Sequence, residues 1–234
     1  MITAISTQGL VLALLPSVAV IGLMVYWSAG AKTASYATLR MLVQLLLIGY
    51  VLVYIFETDQ PAVIVAVLLF MMIVASWIAI RHVKEQRMRA LRNSFISIAL
   101  PGLLVLGLVS QVVIDVDPWF SPRYLVPLAG MIFAGAMNVV CLADERYRSE
   151  IDRGTEKLEA RRIAFQTAMI PITNSLFAVG LVSLPGMMTG QILSGVSPLV
   201  AAKYQIIVMS MLFGVSGLSA AIYLTLEQRA NQHR

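Results

Sequence analysis

GLVSLPGMMTGQILSG, residues 180–195, decides how the chain is read, because it is apolar enough for a membrane helix and yet broken repeatedly. Pro185 has no N–H to donate and Gly186 tolerates dihedrals that other residues avoid, so a helix arriving from Val179 is expected to stop or kink at Leu184. Backbone that is not helical survives at membrane depth only where protein buries it or a watery cavity solvates it. The break is therefore a candidate place of contact with something other than lipid. The other reading is a helix end at the membrane surface followed by an ordinary loop.

Working outward, the 234 residues are 59% hydrophobic and 12% charged, with mean hydropathy +0.84, which a water-soluble surface does not allow. The expectation is an all-α polytopic membrane protein, one transmembrane domain over residues 1–234. Seven segments approach the roughly 20 apolar residues needed to cross a bilayer: 10–28, 41–56, 62–80, 95–116, 124–142, 164–184 and 204–226. The second reaches full length if residues from Tyr36 onward continue it. The opening MITAISTQGL has no Lys or Arg, so the first span is expected to be retained and not cleaved as a signal peptide.

Basic residues concentrate in two connections. Arg81, Lys84, Arg87, Arg89 and Arg92 lie in one; Arg146, Arg148, Arg153, Lys157, Arg161 and Arg162 lie in the other. Positive charge marks the cytoplasmic side, which with seven spans puts the N-terminus outside and the C-terminus, with Arg229 and Arg234, inside a cell (inner or plasma) membrane. The acids Glu57, Asp59, Asp115 and Asp117 then fall on the outer face. Residues 81–92 read as a short basic surface helix, suited to anionic lipid headgroups or to a cytoplasmic protein. Residues 144–162 read as exposed polar helix on both sides of an interruption at Gly154.

Within the spans, Gln44 is expected to face protein and not lipid. Gly130, Ala134 and Asn138 recur at i, i+4, i+8 as a close-packing seam with Asn138 as its buried polar contact, and Ser210, Gly214, Gly217 and Ala221 form a second such face. Several chemistries are excluded. There is no phosphate-cradling G-x-x-x-x-G-K-[ST] and no H-E-x-x-H; the one cysteine, Cys141, reads as a small apolar residue at a helix end, and His82 and His233 lie in basic segments. Thioethers, among them Met187 and Met188, bind soft metals but are also common core filler.

From about Arg40 through Leu226 the chain resembles the ABC-type permease family that includes the bacterial Fet-type iron exporter and the plant aluminium-tolerance permeases. The resemblance is carried by LRMLVQLLLIGYVLVYIF (39–56), VPLAGMIFAGAMN (126–138) and VGLVSLPGMMTGQILSGVSPLVAAKYQI (179–206). It implies a membrane permease subunit, not itself an enzyme, that works as a pair of copies with a separate ATP-binding cassette subunit holding ATP and Mg, in contact with membrane lipid and without nucleic acid. It assigns the cytoplasmic segment at about 143–163 to coupling, through Glu150, Arg153, Gly154, Glu156, Glu159, Arg161 and Arg162. It places Ser183, Pro185, Gly186, Met187 and Met188 in the translocation pathway, to which the intramembrane polar residues Gln44, Asn138, Asn174 and Gln205 are added. Metal ligands are left unassigned, and iron export is the leading expectation. Where the family reads IPT-x-D-S followed by a lysine, this chain has IPITNSLFAVG, with Asn174 for the acid and Phe177 for the base. An organic substrate such as a nucleotide sugar, or a membrane scaffold or sensor that transports nothing, are the alternatives.

Overall fold

The computed structural model describes residues 6–58 and 60–232; Asp59, His233 and Arg234 lie outside the described residues. The chain forms two compact units that divide between Glu57 and Thr58.

The first unit is helical. The side chain of Ser6 accepts a 3.1 Å hydrogen bond from the Gly9 N–H and so caps α1, Thr7–Ala13. Leu14 interrupts the helix and α2, Leu15–Tyr26, follows with Pro16 in its first turn, where the missing N–H costs no hydrogen bond. After Gly30, at φ +76°, α3 runs from Ala31 to Phe56. It thus begins ten residues before the span expected from Met41, and Gln44 on it is exposed, contrary to the expectation that this amide faces protein.

The second unit comprises α4 (Pro61–Ala79), α5 (Arg87–Gly107) continuing into a π-helical stretch (Leu108–Val113), α6 (Pro122–Asp152), α7 (Lys157–Ala178), α8 (Gly186–Leu193) and α9 (Pro198–Gln232). Helix α6 packs against α4, α5, α7 and α9. Its buried Ile132, Phe133 and Val140 meet a core to which α4 gives Ile64 and Leu68, α5 gives Ile98, and α9 gives Val215 and Leu224. Helix α7 joins through Ala160, Ala164 and Ala168, all buried. Small residues at that spacing let backbones approach closely, which is how apolar helices gain dispersion contacts where lipid is as apolar as they are.

Among the described residues six helices are long and apolar enough to cross a membrane: Thr7–Tyr26, Ala31–Phe56, Pro61–Ala79, Arg87–Val113, Pro122–Asp152 and Pro198–Arg229. The chain is an all-α, multi-pass membrane protein. The segment expected as a further span, 164–184, is divided between α7, whose first turns carry Lys157, Glu159, Arg161 and Arg162, and the non-helical residues after Ala178.

Three local expectations are corrected. Residues 81–92 are not a separate surface helix. Residues 80–86 form a connection and Arg87 opens α5, which continues to Gly107 because Asn93, Ser94 and Ser97 are buried against its neighbours. The Gly130, Ala134, Asn138 seam does not form the core contact of α6. Ala134 and Asn138 are exposed, and a different face of mixed size, through Ala129, Ile132, Phe133, Ala136 and Val140, is buried in their place. On α9 likewise Ser210 and Ala221 are exposed, while Val208, Val215, Ser219 and Tyr223 face inward. Spacing alone finds small residues; which face is buried is decided by the helices that pack around it.

Candidate functional site: a broken membrane segment and a buried charge cluster

The break begins earlier than Pro185 dictates. Helix α7 ends at Ala178, whose carbonyl accepts from the N–H groups of Val182 (2.8 Å), Leu181 and Ser183 (both 3.2 Å). Gly180 sits at φ +83° and its N–H donates to the Ser183 carbonyl at 3.0 Å. A left-handed residue just past a helix end is the usual way to satisfy orphan carbonyls, and glycine adopts it without a Cβ penalty. The helix therefore stops six residues before the expected stop at Leu184, through Gly180 instead of Pro185. Pro185 caps α8, and Gly195, at φ +92°, ends the turn that follows it.

Beside the break lies a cavity of about 350 Å³ lined by Val179, Met188, Gln205, Met209 and Ser210 among others, with no titratable side chain in its wall. Gln205 is 6% exposed, and its Oε1 has no hydrogen-bond partner among the described residues. A buried amide oxygen without a donor costs roughly 1–3 kcal/mol. The structure thus brings together two of the pathway residues expected from sequence, Met188 and Gln205. Ser183, Gly186 and Met187 are exposed on the break itself and on α8, and Pro185 is half-buried. Asn174 on α7 and Asn138 on α6 are exposed and do not line the cavity, and Gln44 belongs to the first unit.

At the basic end of the second unit, α6 turns into α7 through Gly154 at φ +83°. Glu150 is buried and holds this turn: it accepts from the Thr155 hydroxyl at 2.8 Å and pairs with Arg146 at 2.8 Å and Arg153 at 3.4 Å. Glu156 caps α7; one turn on, Glu159 and Arg162 form an exposed pair at 3.8 Å, and Arg161 donates to Gln228 of α9 at 2.8 Å. The 144–162 stretch is therefore only partly the exposed helix expected. Asp144, Tyr147 and Glu150 are buried because α6 continues unbroken to Asp152 with one face against its neighbours.

Asp144 belongs to a cluster that sequence reasoning missed. Arg148 Nε lies 2.8 Å from each Asp144 carboxylate oxygen, His82 Nε2 is 2.8 Å from Oδ2, and the Tyr223 hydroxyl donates to Oδ1 at 2.7 Å. Glu227, one turn beyond Tyr223, accepts from Asn93 Nδ2 at 2.8 Å and lies 3.6 Å from Arg148 and 3.8 Å from Arg89. Two acids are so buried among cationic partners from the α4–α5 connection, α5 and α6. The hydrogen bond to Asp144, reinforced by the contact with Cys141 (3.9 Å) and opposed by burial, lifts His82 from its ordinary 6.5 to about 9. Cys141 thus lies within α6, not at its end. The Asp144/Arg148 pair at i, i+4 was visible in the sequence as a helix-face ion pair. Nothing local signals that His82, Tyr223 and Glu227 converge on it. Among the described residues no group of three or more His, Cys, Asp or Glu is placed to hold a metal ion.

Comparison with known proteins matches residues 6–231 to the profile of a family described as "Uncharacterised protein family (UPF0014)". The chain is 34% identical over 212 residues to "UPF0014 membrane protein slr1647" of Synechocystis sp., covering 83% of this chain and 82% of that protein. It is 35% identical over 218 residues to "Probable iron export permease protein FetB" of Escherichia coli, covering 86% and 79%. It is 32% identical over 203 residues to "Protein ALUMINUM SENSITIVE 3" of Arabidopsis thaliana, covering 79% and 72%. No solved structure matches.

Proposed function

The chain belongs to the UPF0014 family of membrane proteins, and from that premise we propose that it is the membrane-spanning permease subunit of an ABC-type transporter that exports a metal ion, with iron as the first substrate to test. ATP and Mg are held by a separate ATP-binding cassette subunit, and two permease copies assemble with two of these. Helix α7 serves as a seventh crossing, with the N-terminus outside and the basic connections and C-terminus in the cytoplasm.

The observation that carries this reading is the continuity of α7. One helix, Lys157–Ala178, joins the turn held by Glu150 to the break beside the Gln205 cavity. A push on the turn at Arg153 to Glu156 is delivered to the broken segment along one continuous helix, with Pro171 inside it. Coupling of this kind needs a two-state element that both ends bias, and the non-helical residues 179–185 are the candidate.

The absence of any titratable group in the cavity wall favours, as a second reading, an uncharged organic substrate, since a hard cation prefers oxygen ligands bearing charge. The test is purification of the chain from its host in mild detergent. A P-loop subunit in stoichiometric amount supports the permease reading, and its recovery without one under crosslinking refutes it. Liposomes holding both subunits and ATP then separate the substrates: iron movement supports metal export, and stimulation of ATPase activity by an organic solute alone supports the second reading.

A further inference from the structure

RMRALRNSF, residues 87–95, opens α5, and its positions 88, 92 and 95 recur at i, i+4, i+7 on one stripe. Met88, Arg92 and Phe95 line a groove of about 720 Å³ whose far wall is Ile73 and Ser76 of α4. The groove is apolar at the Ile73 and Phe95 end and basic at the other, where Arg89 and Arg92 stand. Arg89 lies 3.8 Å from Glu227, so part of its charge is already balanced. Arg92 is exposed and has no ion pair among the described residues.

Depth is marked independently. The Arg87 guanidinium lies 4.1 Å from the centroid of the half-exposed Trp77 ring, on α4 one turn from Ile73. Tryptophan with a basic partner is characteristic of headgroup level. Arg87, Arg89 and Arg92 are then at the headgroups, and Ile73 and Phe95 lie deeper among acyl chains.

We propose that this α4–α5 groove binds one anionic phospholipid, its phosphate on Arg92 with Arg89 behind it and one acyl chain along Ile73 and Phe95. A zwitterionic lipid brings its own cation to the same two guanidinium groups, so selection is for net negative headgroups. The volume falls within the roughly 300–1,000 Å³ typical of ligand pockets. The proposal rests on α4 and α5 lying in a membrane and is independent of the transport reading.

The test is native mass spectrometry of the full-length protein released from micelles holding equal amounts of phosphatidylglycerol and phosphatidylcholine with identical chains. The wild-type chain retains phosphatidylglycerol in excess, and Arg92→Gln lowers that excess by about fivefold, the worth of one arginine at a membrane surface. Ile73→Trp, which fills the apolar end, lowers retention of both lipids. Arg229→Gln, an exposed arginine on α9 that does not line the groove, leaves retention as it was. An undiminished excess in Arg92→Gln overturns the site. So does an equal loss in Arg229→Gln, which identifies diffuse surface attraction as the cause.

Discussion

The Tyr223 hydroxyl of α9 donates a 2.7 Å hydrogen bond to Oδ1 of Asp144 on α6, 79 residues earlier in the chain. That carboxylate also receives Arg148 and His82, so one buried acid ties together α6, α9 and the α4–α5 connection. The clamp sits two to three helical turns from Gly154 and fixes the stem of the α6–α7 turn. Burying charge is expensive unless every group is paired, and a pair broken on one side leaves the other side's penalty intact.

Asp144→Asn leaves protonated His82 without its counter-charge and Arg148 with Glu227 alone. The expected loss is about 3–5 kcal/mol of unfolding free energy. Tyr223→Phe removes one hydrogen bond to a charged acceptor and is expected to cost about 1.5–3 kcal/mol. Denaturant unfolding of the purified protein in detergent measures both. A cost for Asp144→Asn no larger than that for Tyr223→Phe shows that the acid is not the centre of the clamp.

His82 supplies a pH dependence with a definite sign. Its value in the folded protein, about 9, is above its ordinary 6.5, so the folded state holds the proton more tightly than the unfolded chain does. The stabilisation is fully present below pH 6.5 and is lost as pH rises through about 9. The unfolding midpoint of the wild type relative to His82→Gln should fall across that window. A difference that stays level from one end to the other removes His82 from the account.

Gly102 and Phe133 are a packing pair that admits no additional atom. A Cβ on Gly102 would lie 2.8 Å from Phe133 Cε1, so Gly102→Ala must displace the ring in the α5–α6 contact. Overpacking of this kind costs about 1–3 kcal/mol. The double variant with Phe133→Leu should recover part of the loss. If Gly102→Ala melts like the wild type, the two helices are not in close contact there.

Two glycines in the broken stretch should respond with opposite signs. Gly180, at φ +83°, has no atom of the described residues within 4 Å of where a Cβ would stand, so Gly180→Ala meets a backbone penalty alone, about 1–2 kcal/mol. Gly190 lies inside α8 with equally open space, and Gly190→Ala should stabilise by about 0.4–1 kcal/mol. Paired thermal melts in the same detergent check this. Equal signs mean that α7 does not end in a left-handed residue.

Much of the architecture was legible because membrane helices are read from local composition. The apolar runs mark the crossings, Gly154 marks the turn between α6 and α7, and residues 180–195 mark a break. The exact end at Ala178 was less legible. Pro185 is the louder signal, but Gly180 in the left-handed region ends the helix first. Asn138 is exposed because a stripe of small residues is compatible with packing without requiring it, and the neighbouring helices pack on another face of α6.

By itself the sequence determined that this is a helical membrane protein, six of the seven segments expected to cross, and roughly where the chain turns or breaks. Each of these follows from side-chain transfer energies and backbone preferences acting over a few neighbouring residues. Tertiary structure alone decided that His82, Asn93, Arg148 and Tyr223 gather around two buried acids, Asp144 and Glu227, and that Gln205 and Met188 share a cavity wall. Charges and amides far apart in the chain meet only when helices choose their faces. That choice is made by the packing of whole helix surfaces, which no single residue's chemistry announces.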